Sequence, residues 1–363
     1  MDNNVKTQEV KNKNEFFKKY IFPYAVPIVF LVLCGIGFYY SGLHYTFVLN
    51  EVIGRLARNS FLVISLIIPV IAGLGLNFGI VLGAMAGQIA LFFVTDYAVK
   101  GIAGLLLAFV ISTPLAIIFG YLTGQVLNKS KGREMITSMI LGFFANGIYQ
   151  LVFLVMAGTI IPFKNKDLLL STGVGLKNSM DLAGVRYALD DLWKIRPFTG
   201  IAVPISTLIV VGILCVALTW FLKTKLGQEM RTVGQDMHVA GVAGIDVDKT
   251  RTIAVIISTV LAAWGQIIFL QNIGTLNTYG SHEQVGLFAV ASLLIGGASI
   301  KKATYGQALI GTFLFHMLFI ISPMAGQNLM GDSQIGEFFR VFVAYGVIGL
   351  ALLLHAWQDK NKK

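Results

Sequence analysis

Residues 224–247 read TKLGQEMRTVGQDMHVAGVAGIDV. The stretch lies between two long apolar runs and is itself polar and patterned. Thr224, Gly227, Arg231, Gly234, Ala240, Gly244 and Ile245 fall at the spacing T-x-x-G-x-x-x-R-x-x-G-x-x-x-x-x-A-x-x-x-G-I. Glycine interrupts helical spacing, so the stretch reads as a short helix, a glycine break and a second short helix. Lys223, Lys225, Arg231, Lys249 and Arg251 make it basic, which places it on the cytoplasmic side of a membrane. A compact, patterned cytoplasmic loop between spans suits the docking of a cytoplasmic partner.

The rest of the chain supplies the membrane. It is 56% hydrophobic and 13% charged, with a mean hydropathy of +0.75, where a soluble chain carries about a quarter charged residues. The composition predicts an all-α, polytopic transmembrane bundle. Cys34 and Cys215 lie inside apolar runs and read as small core residues, not as a disulfide or a metal site. The net charge of +10 falls mostly in segments assigned to the cytoplasm. It reads as positive-inside bias and not as nucleic-acid binding. The first apolar run begins near Ile21 behind several lysines and has no small-residue cleavage site, so it reads as a retained span.

Working outward, residues 1–19 and 358–363 are basic cytoplasmic tails, and 20–357 is a single transmembrane domain. Phe47–Asn59 carries Glu51, Arg55 and Arg58 on one helical face and is expected to lie on the outer surface as an interfacial helix. Phe61–Val94 has no charged residue and suits two short crossings. The glycines and Asn77 of Gly73–Gly79 predict a broken helix between them, which a membrane tolerates only beside protein or a watery cavity. Gly75 is expected where backbones pass closely. The segment 158–196 forms the longest outer loop, and 223–250 is the patterned inner loop. Ser258, Ala262 and Gly265 make a small-residue face for close packing. The count is ten crossings with both termini cytoplasmic.

The patterned loop resembles the coupling loop of permease subunits in ABC importers of the branched-chain amino acid, simple-sugar and nucleoside type. There it reads roughly T-x-x-G-x-x-x-R-A-x-G-x-N-x-x-A-A-x-x-x-G-I. This chain departs at Thr232, Asp236 and Val239. Asn77 with Gly79, and Glu134-Met135-Ile136-Thr137-Ser138-Met139-Ile140-Leu141, are similar to the nucleoside group. Gly296-Gly297-Ala298-Ser299 is similar to the G-G-x-S of the sugar group. The resemblance implies a bacterial plasma-membrane permease that moves a nucleoside or simple sugar. It implies two ABC ATPase subunits docked at Gly227, Arg231, Gly234, Ala240, Gly244 and Ile245, an extracytoplasmic solute-binding protein, and a second permease subunit, identical or not. ATP and Mg would be bound by the ATPases.

The residues exclude other chemistry. There is no G-x-x-x-x-G-K-[ST], H-E-x-x-H or G-x-S-x-G, and no cluster of Cys and His, so no ATP site, metal site or catalytic triad is expected in this chain. The acids near spans, Glu134, Glu283 and Glu337, lie at span ends, which argues against an ion-coupled carrier. Neutral polar residues are therefore the candidates for the solute route: Asn77, Gln88, Asn146, Gln150, Gln266, Gln271, Asn272 and Asn277. Each alone also reads as a hydrogen bond between helices; as a set, some are expected to line the route. His316 reads as a packing histidine. A secondary transporter, a branched-chain amino acid permease of the same family and a non-transporting membrane scaffold are the alternative readings.

Overall fold

The computed structural model describes residues 24–198 and 200–360. The expected tail at 1–19 and the last three residues lie outside this range. Among the described residues, five helices are long and apolar enough to cross a membrane: Tyr45–Ile71, Gly101–Lys129, Glu134–Met156, Val247–Ile273 and Tyr305–Met330. Ala25–Ser41, Ile80–Asp96 and Val285–Ile295 are shorter apolar helices, and Ile205–Phe221 with Lys225–Gln235 forms a pair bent by 80°. In lipid the backbone must satisfy its own hydrogen bonds, and helices do so within one segment. The protein is a polytopic helical membrane protein.

In chain order the helices are α1 (Ala25–Ser41), α2 (Tyr45–Ser65), α3 (Ile67–Ile71), α4 (Ile80–Asp96), α5 (Gly101–Lys129), α6 (Glu134–Leu151), α7 (Ile205–Phe221), α8 (Lys225–Gln235), α9 (Met237–Val242), α10 (Val247–Ile273), α11 (Val285–Ile295), α12 (Tyr305–Met330) and α13 (Ser333–Lys360). Two small antiparallel sheets add to the expected all-α architecture. Strand β1 (Ser179–Asp181) pairs with β4 (Thr275–Asn277), Met180 opposite Leu276, and β2 (Lys194–Phe198) pairs with β3 (Ile201–Pro204). They fold much of the long segment between α6 and α7.

Phe47–Asn59 is not a separate interfacial helix. It is the first part of α2, which continues into α3. No glycine or proline separates Asn59 from Leu66, so nothing stops the helix there. One of the charges that suggested an interface, Arg58, is met inside the protein: its Nη1 donates to Asn272 Oδ1 at 2.7 Å, and the guanidinium lies over the Phe269 ring.

The chain divides into two compact units. One comprises the described residues up to Val52, Ala291–Ser299 and those from Gly306; the other is Ile53–Val290 with Ile300–Tyr305. In the first, α12 carries the packing. Cys34 Sγ of α1 donates to Leu314 O at 3.5 Å, and Asn328 Nδ2 donates to the last carbonyls of α1.

In the second unit α10 is central. Gly83 and Gly87 of α4 lie against its Thr259 and Ala263 carbonyls, and Gly120 and Gly124 of α5 against its Ile256 and Thr252. A methyl at Gly83 would come within 2.3 Å of Thr259 O. The predicted small face of α10 is used as well: Ser258 Oγ donates to Ser65 O at 2.8 Å, and Gly265 meets Leu62 of α2. Without a hydrophobic drive between helices, such close backbone approach supplies the van der Waals contact.

Helix α6 is turned inside out. It buries Glu134, Ser138, Gly142 and Tyr149, while Ile140 and Phe143 are 59% and 69% exposed. A helix facing hydrocarbon hides its polar stripe and shows its apolar one. That stripe points into the region described next.

Candidate functional site

The patterned loop forms α8 and α9, but a glycine does not break it. Asp236 does, as the N-cap of α9: its Oδ1 accepts from His238 N at 2.8 Å and Val239 N at 3.0 Å. Asp and Asn cap equally well, so the departure from the family's Asn at this position keeps the chemistry. The N–H groups of Val239 and His238 hold the Asp236 carboxyl below its ordinary range. The cap's contribution is therefore fully present above the usual aspartate pKa and is lost as pH falls through the lowered one.

Each glycine of the pattern has its own cause. Gly227 lies against the Phe221 carbonyl and Leu222 at the bend from α7. Ala240-x-x-x-Gly244-Ile245 is a Schellman C-cap: Ile245 N donates to Ala240 O and Gly244 N to Gly241 O, with Gly244 at φ +82°. Ala240 is buried and Arg231 exposed.

Gly234, inside α8, carries the main connection. A Cβ there would fall 1.9 Å from the Ile71 carbonyl oxygen, and one on Gly73 would fall 2.9 Å from Gly234 Cα. The loop thus packs backbone to backbone on the end of α3, where the predicted helix break begins.

The break itself spans 72–79. Gly73 and Gly75 take φ +76° and +69°. At Gly75 a Cβ would meet only ordinary contacts, the nearest at 3.8 Å. The close passage expected at Gly75 is therefore at Gly73, and Gly75 is required by its dihedral. Asn77 Oδ1 accepts from Gly79 N at 2.9 Å, and Ser138 Oγ of α6 accepts from Phe78 N at 3.1 Å. Asn77 is buried, and its Nδ2 has no partner among the described residues. Beside the break opens a cleft of ≈ 510 Å³, lined in part by Gly73, Gly75, Arg133, Glu134, Gly234 and Lys301.

Arg251, counted above among the residues that make the stretch basic, is fully buried. Its Nη2 donates to Glu134 Oε1 at 2.5 Å, and its Nη1 lies 2.8 Å from Met237 Sδ. The pair ties the starts of α6, α9 and α10 together. Sequence spacing offers no signal for it, because the partners are 117 positions apart.

Five of the eight neutral polar candidates gather around residues 277–283. His282 is fully buried. Its Nδ1 lies 2.6 Å from Gln88 Oε1 and its Nε2 2.8 Å from Asn146 Oδ1. Gln88 Nε2 donates to Asn277 O at 3.1 Å, Asn146 Nδ2 to Glu283 Oε1 at 2.8 Å, and Gln150 Nε2 to Asn146 Oδ1 at 3.4 Å. Gln266 Nε2 donates to Ser281 O, and the Tyr149 ring meets the His282 ring edge to face at 4.7 Å. The spacing of Asn146 and Gln150 foretold their shared face; His282 and Glu283 were missed as members. Burial by itself pushes the His282 pKa down to about 4.

The other three candidates lie apart. Asn77 sits in the break. Gln271 Oε1 accepts from Leu189 N, and Asn272 bridges Arg58 and Asp190. The last two hold the 182–207 segment to α10.

Comparison with known proteins agrees with this architecture. The model of the family described as branched-chain amino acid transport system / permease component matches residues 48–354. The xylose transport system permease protein XylH of Haemophilus influenzae is 28% identical over 48% of this chain and 43% of its own length. The nucleoside ABC transporter permease protein NupC of Lactococcus lactis subsp. cremoris is 29% identical over 43% of this chain and 48% of its own. The chain thus spans less than half the length of these two relatives. The ribose import permease protein RbsC of Escherichia coli is 24% identical over 96% of this chain and 98% of its own length. No solved structure matches. On the extent of the family match, the chain belongs to the permease-component family of branched-chain amino acid transport systems.

Proposed function

We propose that the chain is the transmembrane permease subunit of an ATP-driven importer for a small polar solute, a nucleoside or a simple sugar. The observation that carries this is the contact of Gly234 with Ile71 and Gly73. A docking loop whose helix rests on the end of a broken span can pass a displacement straight to that span. The xylose, ribose and nucleoside proteins among its relatives support the solute class.

In this reading 20–357 is one permease domain with ten crossings and cytoplasmic termini, in a bacterial plasma membrane. Loop 223–250 is the coupling loop inside, and 158–196 lies outside. Two ATPase subunits hold ATP and Mg and dock at Gly227, Arg231, Gly234, Ala240, Gly244 and Ile245. A second permease subunit completes the pore, and a solute-binding protein delivers the solute. Closure of the ATPases moves α8 and α9, and α8 moves the break, which gives alternating access. Asn77, Gln88, Asn146, Gln150, Gln266 and Asn277 face the route. Asn272 is better read as structural, since its amide is engaged by Arg58 and Asp190, and so is Gln271, whose amide oxygen accepts from Leu189 N.

Arg231→Glu tests the docking. Charge reversal at an exposed position costs little stability but opposes an acidic partner surface. The variant should reach the membrane in normal amount and lose both ATPase association and uptake. Normal uptake would remove the loop from coupling.

A further inference from the structure

The His282 cluster has a hydrogen-bond logic that the transport reading does not use. A neutral imidazole has one donor nitrogen and one acceptor. Here both ring nitrogens face amide oxygens, Gln88 Oε1 at 2.6 Å and Asn146 Oδ1 at 2.8 Å. Neither amide turns without losing a contact. Gln88 Nε2 is committed to the Asn277 carbonyl, so rotating Gln88 would set oxygen against oxygen. Asn146 Nδ2 is committed to Glu283, so rotating Asn146 would set its oxygen against a carboxylate. Every arrangement with a neutral ring and an ionised Glu283 therefore leaves two acceptors facing each other, at the ring, at the Asn277 carbonyl or at the Glu283 carboxylate. With Glu283 ionised, only the imidazolium satisfies all four contacts.

We propose that His282, Asn146 and Glu283 form a proton-binding site, with His282 held as the imidazolium, Glu283 as its counter-charge, and Asn146 as the link between them. Binding forms the second ring N–H bond with a proton taken from solvent. Release returns that proton to solvent, turns Asn146 over and frees the Glu283 carboxylate. Glu283 is exposed, so the ring's protonation decides whether a bare carboxylate faces the solute. The titratable groups facing the ring are Glu283 through Asn146 and Tyr149 of α6; Tyr279 of the same loop stands behind, donating to Leu176 O at 2.8 Å. α4 contributes Gln88, which is neutral, and α10 reaches the adjacent Ser281 through Gln266, also neutral.

The effect on uptake rests on the permease reading; the proton site does not. The test has two arms. In purified full-length protein carrying ¹⁵N-ring-labelled histidine, the ring shifts are followed from pH about 5 to about 9, with His282→Gln identifying the resonance. The expected ring is doubly protonated at neutral pH and titrates above the ordinary histidine value of about 6.5. Removing the counter-charge disfavours the cation, so Glu283→Gln should lower the midpoint by about one unit or more. A ring neutral at every pH above about 4, the value burial alone would set, would overturn the site, as would a midpoint unmoved by Glu283→Gln. In the second arm, uptake with the partner subunits should show an inflection at the same pH that shifts with Glu283→Gln. An uptake profile that does not follow the ring overturns the link to the solute. Titration intact with no uptake at any pH counts against the permease reading and leaves the proton site standing.

Discussion

Gly234→Ala isolates the contact between the loop and the broken span with one methyl group. That methyl would lie 1.9 Å from the Ile71 carbonyl oxygen, 2.9 Å from its carbon and 3.1 Å from Gly73 N. Carbon contacts settle near 3.5–4.0 Å, so α8 and the end of α3 would have to part by about 1.5 Å. Overpacking of this kind costs about 1–3 kcal/mol, while alanine returns about 1 kcal/mol of helix propensity. If the contact is kept, the net loss is about 0–2 kcal/mol; if α8 lifts away, stability is spared and the connection is lost. Either way uptake should fall at least tenfold. Gly241→Ala in α9 is the control, because no atom lies within 4 Å of the added carbon. It should gain about 0.5–1 kcal/mol and keep uptake. The assays are thermal unfolding of the purified subunit and solute uptake with its partners. A Gly234→Ala protein that melts at or above the parent and transports at the parent rate would refute the reasoning.

Two further outcomes follow from buried groups. Glu134→Gln or Arg251→Met alone should destabilise by about 3–5 kcal/mol, since each leaves the partner charge buried and unpaired, and the double variant should cost less than the sum; additive losses in a denaturation cycle would show that the two do not act as a pair. Asn77→Leu removes the acceptor for Gly79 N, which should cost about 1 kcal/mol, and should slow uptake in a solute-dependent way; a lower melting temperature with unaltered uptake would leave Asn77 as packing alone.

The loop and the break were legible because local conformation dictates their residues. Gly244 needs a left-handed φ, Thr224 caps α8, and Gly73 and Gly75 turn the chain at φ values that residues with a side chain rarely adopt. The spacing of Asn146 and Gln150 likewise reports a helix face. What was hidden depends on partners far away in sequence. Arg251 reads as a loop cation until Glu134 covers it, and His282 reads as nothing until Gln88 and Asn146 close on it from α4 and α6. Phe47–Asn59 was misjudged for the same reason: its charges looked exposed because Asn272, which receives Arg58, lies 214 positions away. Local rules report backbone need, and they cannot see which charges the fold will cover.

The central place of α10 also imposes an order on how the protein is made. The glycine faces of α4 and α5 are shaped for a helix that begins at Val247. Between the end of α4 and that point lie residues 97–246, that is 150 residues of chain. At about 5–20 residues per second, synthesis takes on the order of ten to thirty seconds to cover them. Throughout that interval Gln88 and the glycine stripe of α4 lack the surface they are cut to fit. The early helices must wait in the membrane, or be sheltered by insertion machinery, until the piece that locks them together arrives.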